Sequence, residues 1–246
     1  MNPWAIGVPV AVAAGAGVAS WAAMAPSAQL FGPTVRRLPT DGSPPQIALT
    51  FDDGPNPPIT PKLLDLLEKY KARATFFVIG RFARACPDLI REIHERGHLL
   101  ANHTDTHPHL AWHSRARIAR ELRMCGDAVL SALASGGDLT GPFSMKWMRP
   151  PFGFRGPQLQ GVVANMGIRG VVMWSALCFD WKPQPMERIV SRLARVREGD
   201  IVLMHDGDHR GLGGDRGHIL GGLEHWLPRW RDAGLEFVTI EAGCKA

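Results

Sequence analysis

From Gln46 to Ile240 the chain alternates short apolar runs with longer stretches whose aliphatic residues recur every three or four positions, and no other feature constrains its fold as strongly. QIALTF (46–51), ATFFVIG (74–80), HLLANH (98–103), KWMRP (146–150), RGVVMWS (169–175), DIVLMHD (200–206) and LEFVTI (235–240) predict strands. TPKLLDLLEKYKA (60–72), PDLIREIHERG (87–97), a segment from Ser114 to about Leu133, PQLQGVVANMG (157–167), PMERIVSRLARVREG (185–199) and ILGGLEHWLPRWRDAG (219–234) predict helices, the first with Thr60 as N-cap and Pro61 at the first helical position. Near-continuous apolar strands separated by helices imply an α/β fold with a parallel sheet covered on its outer face. Six or seven such units in about 200 residues fit a barrel, whose chemistry gathers at the C-terminal strand ends. At 246 residues the chain suffices for one large domain.

Upstream of this pattern the composition changes. Trp4 to Leu30 carries no charged side chain, and its first part is long enough to cross a bilayer, so residues 1–37 are read as an N-terminal hydrophobic segment. A membrane anchor is the favoured reading; a cleaved signal peptide and a helix packed on the domain are the alternatives. No Lys or Arg opens the segment as a signal peptide would require, and Arg36 and Arg37 after it favour, by the positive-inside tendency, a cytoplasmic orientation. Residues 38–45 read as a Pro/Gly/Ser linker, and residues 46–246 as the folded domain.

The net charge of +5 is spread through helices rather than gathered into a stripe, which argues against nucleic acid and suits an anionic envelope polymer. Cys86, Cys125, Cys178 and Cys244 form no Cys-x-x-Cys pair, so a structural zinc knot is not expected, and free thiols are the default.

Reactive residues fall at the predicted strand ends. Asp52 and Asp53 close the first strand, His103 the third, Arg149 the fourth and His205 the sixth, while Asp180 follows the fifth. Adjacent carboxylates repel unless a cation or proton lies between them. His103 and His107 stand four residues apart, which in a helical turn puts both imidazoles on one face, close enough to share a metal with an Asp from another strand end. Two His and one carboxylate leave positions open for water and substrate; zinc is the first choice, and cobalt, nickel or manganese accept the same ligands.

TFDDGP, HTDTH, RPPFG, DW and LMHD occur in that order, and through them the sequence from about residue 46 to 240 resembles the polysaccharide deacetylases (NodB-homology domain, carbohydrate esterase family 4). The resemblance implies an irregular (β/α)7–8 barrel and metal-dependent removal of an acetyl group from an N-acetylated, or sometimes O-acetylated, glycan in the cell envelope. It implies Asp53, His103 and His107 as ligands of one divalent metal ion, Asp52 as general base and Arg149 as the residue that keeps Asp52 ionised. It further implies His205 as general acid oriented by Asp180, the Phe152 backbone N–H as oxyanion donor, and Trp181 with Leu203 as the pocket for the acetyl methyl. Neighbouring side chains on an extended strand diverge, so one carboxylate grips the cation while the other faces its water. Two departures stand out: Phe152 replaces a Tyr common in relatives, and Leu177 occupies a position where many carry another Asp. His94, His98, His109, His113, His209, His218 and His225 match no motif and are read as surface or core residues. The Gly-rich stretch 206–219 is expected to form a mobile rim that influences substrate choice. The competing expectations are a deformylase acting on a lipid-linked sugar, a glycan-binding domain without catalysis, and a two-His, one-carboxylate iron oxygenase.

Overall fold

The computed structural model describes residues 17, 20–40, 44–137 and 143–244. The predicted α/β barrel is the architecture observed. Strands β1 (Gln46–Gly54), β2 (Ala74–Val78), β3 (Leu99–Asn102), β4 (Trp147–Met148), β5 (Gly170–Val171), β6 (Ala176–Leu177) and β7 (Ile201–His205) form one curled sheet in the order β5-β4-β3-β2-β1-β7-β6, and β8 (Glu236–Phe237) pairs with the start of β1. Every pairing between these eight strands is parallel.

Helices α1 (Thr60–Lys69), α2 (Gly80–Ala85), α3 (Pro87–Glu95), α4 (Arg115–Gly136), α5 (Leu159–Asn165), α6 (Met186–Leu193), α7 (Gly217–Asp232) and α8 (Ile240–Gly243) follow the strands. Their apolar faces bury Leu63, Leu67, Ile90, Ile93, Val129, Leu223 and Leu227 against Leu49, Phe51, Phe76 and Val78 on the outer face of the sheet. The alternate residues point inward. Ala48, Phe77, Ala101, Trp147, Val172 and Ile201 meet Leu38 and Ile240 in an apolar plug at the bottom of the barrel. Two residues further along β1 and β4, the interior turns polar at Thr50 and Arg149, and Asp52 lies above them at the rim.

Several elements are shorter than predicted or differ at their ends. Ile59, not Thr60, is the N-cap of α1, because the Thr60 hydroxyl donates instead to Asp206 at 2.5 Å. Of the predicted strand 169–175 only Gly170–Val171 is strand, as β5; β6 (Ala176–Leu177) begins just beyond it, and neither β6 nor α2 was expected. Ser114 caps α4 by accepting from Arg117 N–H, as its position at the start of the periodic segment suggests. All four cysteines are free thiols.

Most of the apolar N-terminal run, residues 1–16, 18 and 19, lies outside the described residues; its described remainder is joined to the barrel. The Arg155 guanidinium is buried and donates to the carbonyls of Ala22, Ala25 and Ala28, and Arg155 N–H bonds Ala23 O. Val35 pairs in parallel with Val172 beside β5, and Arg37 pairs antiparallel with Asp200 before β7 and makes a 2.6 Å ion pair with it. Leu38, expected to open a linker, is 3% exposed and bonds Gly199 O. Within residues 20–38, the stretch from Ala22 to Leu38 thus makes backbone contacts with the barrel. Among the described residues no helix is long and apolar enough to cross a membrane.

Candidate metal centre and active site

At Asp53 the backbone leaves the extended strand. Its φ is +70°, and the β1–β2 register shifts between Asp52 and Gly54, which marks a bulge. Regular alternation would send the two side chains apart, as expected from sequence; the bulge instead turns both toward the barrel mouth. Close packing holds it there. A Cβ on Gly207 would lie 2.0 Å from Asp53 O, and one on Gly54 would meet the Asp206 carboxylate at 2.3 Å, so two glycines permit strand β1 and the loop after β7 to touch.

His103 and His107 do come together, with ring centroids 4.9 Å apart, but not through a helical turn. Residues 103–109 form a loop in which Thr104 (φ +68°) and His107 (φ +61°) adopt left-handed conformations. Asn102 and Thr104 stabilise it: the Asn102 side chain accepts from Thr104 N–H at 2.9 Å, and the Thr104 hydroxyl accepts from His107 N–H at 3.1 Å.

The Asp53 carboxylate lies between the two imidazoles. Asp53 Oδ1 lies 3.1 Å from His107 Nε2 and 3.5 Å from His103 Nε2. His103 Nδ1 is 2.8 Å from Arg149 O, and since a carbonyl only accepts, that nitrogen carries the hydrogen. In the neutral ring Nε2 is then a bare lone pair facing a carboxylate oxygen that is buried and has no hydrogen-bond partner. A cation or a proton between the two would offset such a contact. Donor atoms around a tetrahedral ion with bonds of about 2.0–2.1 Å stand roughly 3.4 Å apart, close to the two Asp53–imidazole separations. Protonation states agree with this. Burial depresses His107 to about 4, leaving its imidazole neutral. Burial alone would raise Asp53, but contacts with His103, His107 and His209 hold it well below the usual carboxylate range.

His209, assigned no role from sequence, belongs to this cluster. Its Nδ1 is 3.7 Å from Asp53 Oδ2, its ring stacks on His107 at 4.6 Å, and Asp53, His107 and His209 each offer a donor atom within 4.8 Å of the others. Its 156-residue separation from Asp53 matches no metal spacing; the sole hint was its place in the Gly-rich stretch expected beside the site. That stretch does border the cleft, but it is pinned. Asn56 bonds Asp206 O, Gly214 O and Gly213 N–H, Arg216 bonds Gly207 O, and Arg81 bonds His209 O.

Asp52 is held from behind. Arg149, fully buried, donates to Asp52 Oδ1 at 2.7 Å, Thr50 Oγ1 at 2.8 Å, Met173 O at 3.0 Å and Val172 O at 3.3 Å, with Phe77 beneath the guanidinium at 4.2 Å. Opposite, on β7, His205 Nδ1 is 3.0 Å from Asp180 Oδ1, whose other oxygen accepts from His205 N–H. His218 Nε2, also unassigned from sequence, reaches Asp180 O at 2.8 Å. Burial alone would lower His205; the charge and hydrogen bond of Asp180, aided by Asp53 and Asp52, instead raise it to about 9. The pair's stabilisation is therefore complete below about pH 6.5, the ordinary imidazole value, and is lost as pH rises through 9. In Asp180→Asn, an NMR titration of the His205 ring is expected to give a midpoint of 6.5 or below instead of about 9; an unmoved midpoint would show that Asp180 is not the cause.

The cleft above these groups has a volume of about 710 Å³, and Phe152, Trp181 and Leu203 line it together with Asp52, Asp53, His103, His107, His205 and His209. Arg149 and Asp180 are 0% exposed and reach it only through Asp52 and His205. Phe152, at φ +58°, stacks its ring on His109 at 4.2 Å. Trp181 lies edge-on to His205 at 5.8 Å. Leu177 pairs with Leu203 on the neighbouring strand.

Comparison with known proteins gives a consistent picture. Residues 40–171 match the polysaccharide deacetylase domain. The chain is 39% identical over 175 residues to a chitooligosaccharide deacetylase of Sinorhizobium fredii, covering 70% of this chain and 78% of that protein. It is 34% identical over 203 residues to a peptidoglycan-N-acetylglucosamine deacetylase of Bacillus cereus, covering 79% and 85%. A solved peptidoglycan N-acetylglucosamine deacetylase in complex with 4-naphthalen-1-yl-N-oxidanyl-benzamide superposes with a TM-score of 0.75 at 27% identity, over 86% of this chain and 92% of the other.

Proposed function

The chain belongs to the polysaccharide deacetylase family, and from that premise we propose that it is a metal-dependent hydrolase removing N-acetyl groups from an envelope glycan such as a chitin-like oligosaccharide or peptidoglycan. What supports metal dependence most directly is the unpartnered, buried Asp53 Oδ1, which faces His107 Nε2 at 3.1 Å and His103 Nε2 at 3.5 Å.

Asp53, His103 and His107 would hold the ion, zinc being the first choice for two imidazoles and a carboxylate, with cobalt, nickel and manganese also admissible. When bound it supplies Lewis acidity toward the acetyl carbonyl and acidifies water. The remaining steps belong to the chain's own groups. Asp52, paired with and aimed by Arg149, accepts a proton as water oxygen bonds the acetyl carbon. The Phe152 backbone N–H donates to the oxygen on which charge develops, a function independent of whether the ring is Phe or Tyr. His205, protonated at neutral pH through Asp180, gives its proton to the sugar nitrogen as the C–N bond breaks, releasing acetate and the free amine. Leu203 and the flank of Trp181 provide the apolar wall for the methyl group.

Acetate release from chitooligosaccharides, peptidoglycan and O-acetylated xylan tests this. Activity on an N-acetylated glycan is expected, to be lost on treatment with a chelator and restored by a divalent metal. Formate from an N-formyl sugar would redirect the assignment to a deformylase, and inertness toward every substrate with metal bound would overturn it.

A further inference from the structure

We infer that a groove beside β6 is a binding site for a chain of phosphate groups, distinct from the catalytic cleft. The sequence suggested charge spread along helices; the fold instead gathers five arginines around one concavity of about 560 Å³, within the size range of ligand pockets. Arg188 and Arg192 stand four residues apart on α6 and so share a helix face; Arg195 and Arg197 follow between α6 and β7, and Arg37 reaches the same groove from the N-terminal stretch. Among the described residues Asp200 is the one acid that lines it. Its carboxylate is already engaged, by Arg37 at 2.6 Å, the Ser175 hydroxyl at 2.7 Å and Arg197 N–H at 2.9 Å.

Two of the five cations are fixed in place. Arg37 also donates to Glu198 O at 2.7 Å; Arg192 donates to Cys178 O at 2.7 Å and Gln184 Oε1 at 2.6 Å, and lies over the Phe179 ring at 4.7 Å. Among the described residues the guanidinium groups of Arg188, Arg195 and Arg197 have no hydrogen-bond or ion-pair partner. Five arginines against one aspartate leave an excess of four positive charges on the groove. Like charges around a low-dielectric concavity focus the field and concentrate counter-ions there. A planar guanidinium takes phosphate or carboxylate through two parallel hydrogen bonds. Charge density decides for phosphate, since a terminal phosphate carries about −1.5 to −2 where a carboxylate carries a single charge. Concavity decides against a flat lipid surface, whose headgroups would meet only the rim. Phe179 lines the groove and Trp181 the cleft, with ring centroids 5.2 Å apart, so the two sites share a wall and a chain held by the arginines lies beside the cleft.

The test is calorimetric titration of the whole protein with inorganic tripolyphosphate. Arg188→Gln/Arg195→Gln removes two exposed guanidinium groups from the groove, and Arg120→Gln/Arg123→Gln removes the same charge from exposed positions on α4 outside it. The first variant is expected to bind at least about tenfold more weakly, the loss for one charge-assisted hydrogen bond, and to respond less to added salt. The second is expected to bind as the parent does. All three proteins keep the cleft residues, so any phosphate bound at the catalytic site is common to them. Equal weakening in both variants, or none in either, would overturn the site and leave a solvated basic helix face. Tighter binding of poly-L-glutamate, or of phosphatidylglycerol vesicles, than of tripolyphosphate would overturn the phosphate chain as its occupant. Both variants alter exposed side chains and are expected to keep the parent's circular dichroism spectrum.

Discussion

Asp52→Asn is expected to lower kcat/KM by about 10²- to 10⁴-fold, the usual contribution of a general base, while the protein keeps its full complement of metal. The two neighbouring carboxylates would thus separate by assay: Asp53→Asn loses metal and activity together, Asp52→Asn loses activity alone. The geometry supports the division. Asp53 carries the unpartnered buried oxygen among imidazoles, whereas Asp52 Oδ1 is already engaged by Arg149 and its Oδ2 stands further off, 3.7 Å from His103 Nε2. Atomic absorption on the two purified variants beside acetate release decides it. Metal lost from Asp52→Asn and kept by Asp53→Asn would exchange the two roles.

Arg149→Met should destabilise the fold by about 3–5 kcal/mol, the range for removing one partner of a buried ion pair. Four acceptors lose their donor at once: a carboxylate 3% exposed, the Thr50 hydroxyl, and the carbonyls of Val172 and Met173. Arg149→Lys should recover only part of this, because one ammonium cannot span acceptors that the planar guanidinium reaches both on β1 and just after β5. Denaturant unfolding of the three proteins measures the effect. A Met variant within about 1 kcal/mol of the parent would mean that the Arg149 contacts contribute little to stability, since breaking a buried ion pair would cost more.

Much of the site was legible because a parallel barrel converts strand ends distant in sequence into neighbours. Asp52, His103, Arg149 and His205 could be placed at one rim from hydrophobic periodicity alone, and the ordered motifs added the pairing of Asp180 with His205. Local backbone conformation was not legible. Asp53 joins Asp52 through a bulge that contradicts simple alternation, and His103 meets His107 through two left-handed residues, so the i, i+4 rule brought the right rings together for the wrong reason. His209 carries no spacing signal, since its contact with Asp53 depends on Gly207 letting two backbones touch. For residues 20–38, hydropathy offered no means to distinguish a stretch bound for lipid from one whose carbonyls satisfy a buried guanidinium.

That stretch also bears on how the molecule meets its neighbours. β5 and β6 end the sheet on its two sides, and Val35 covers the β5 margin, accepting from Met173 N–H at 2.7 Å and donating to Val171 O at 2.9 Å. Peptide groups left bare along such a margin invite pairing with the margin of another molecule. By lending a few of its own residues as a false strand, the chain spends that valence internally, and a barrel that never fully closes is protected from edge-to-edge association at this side.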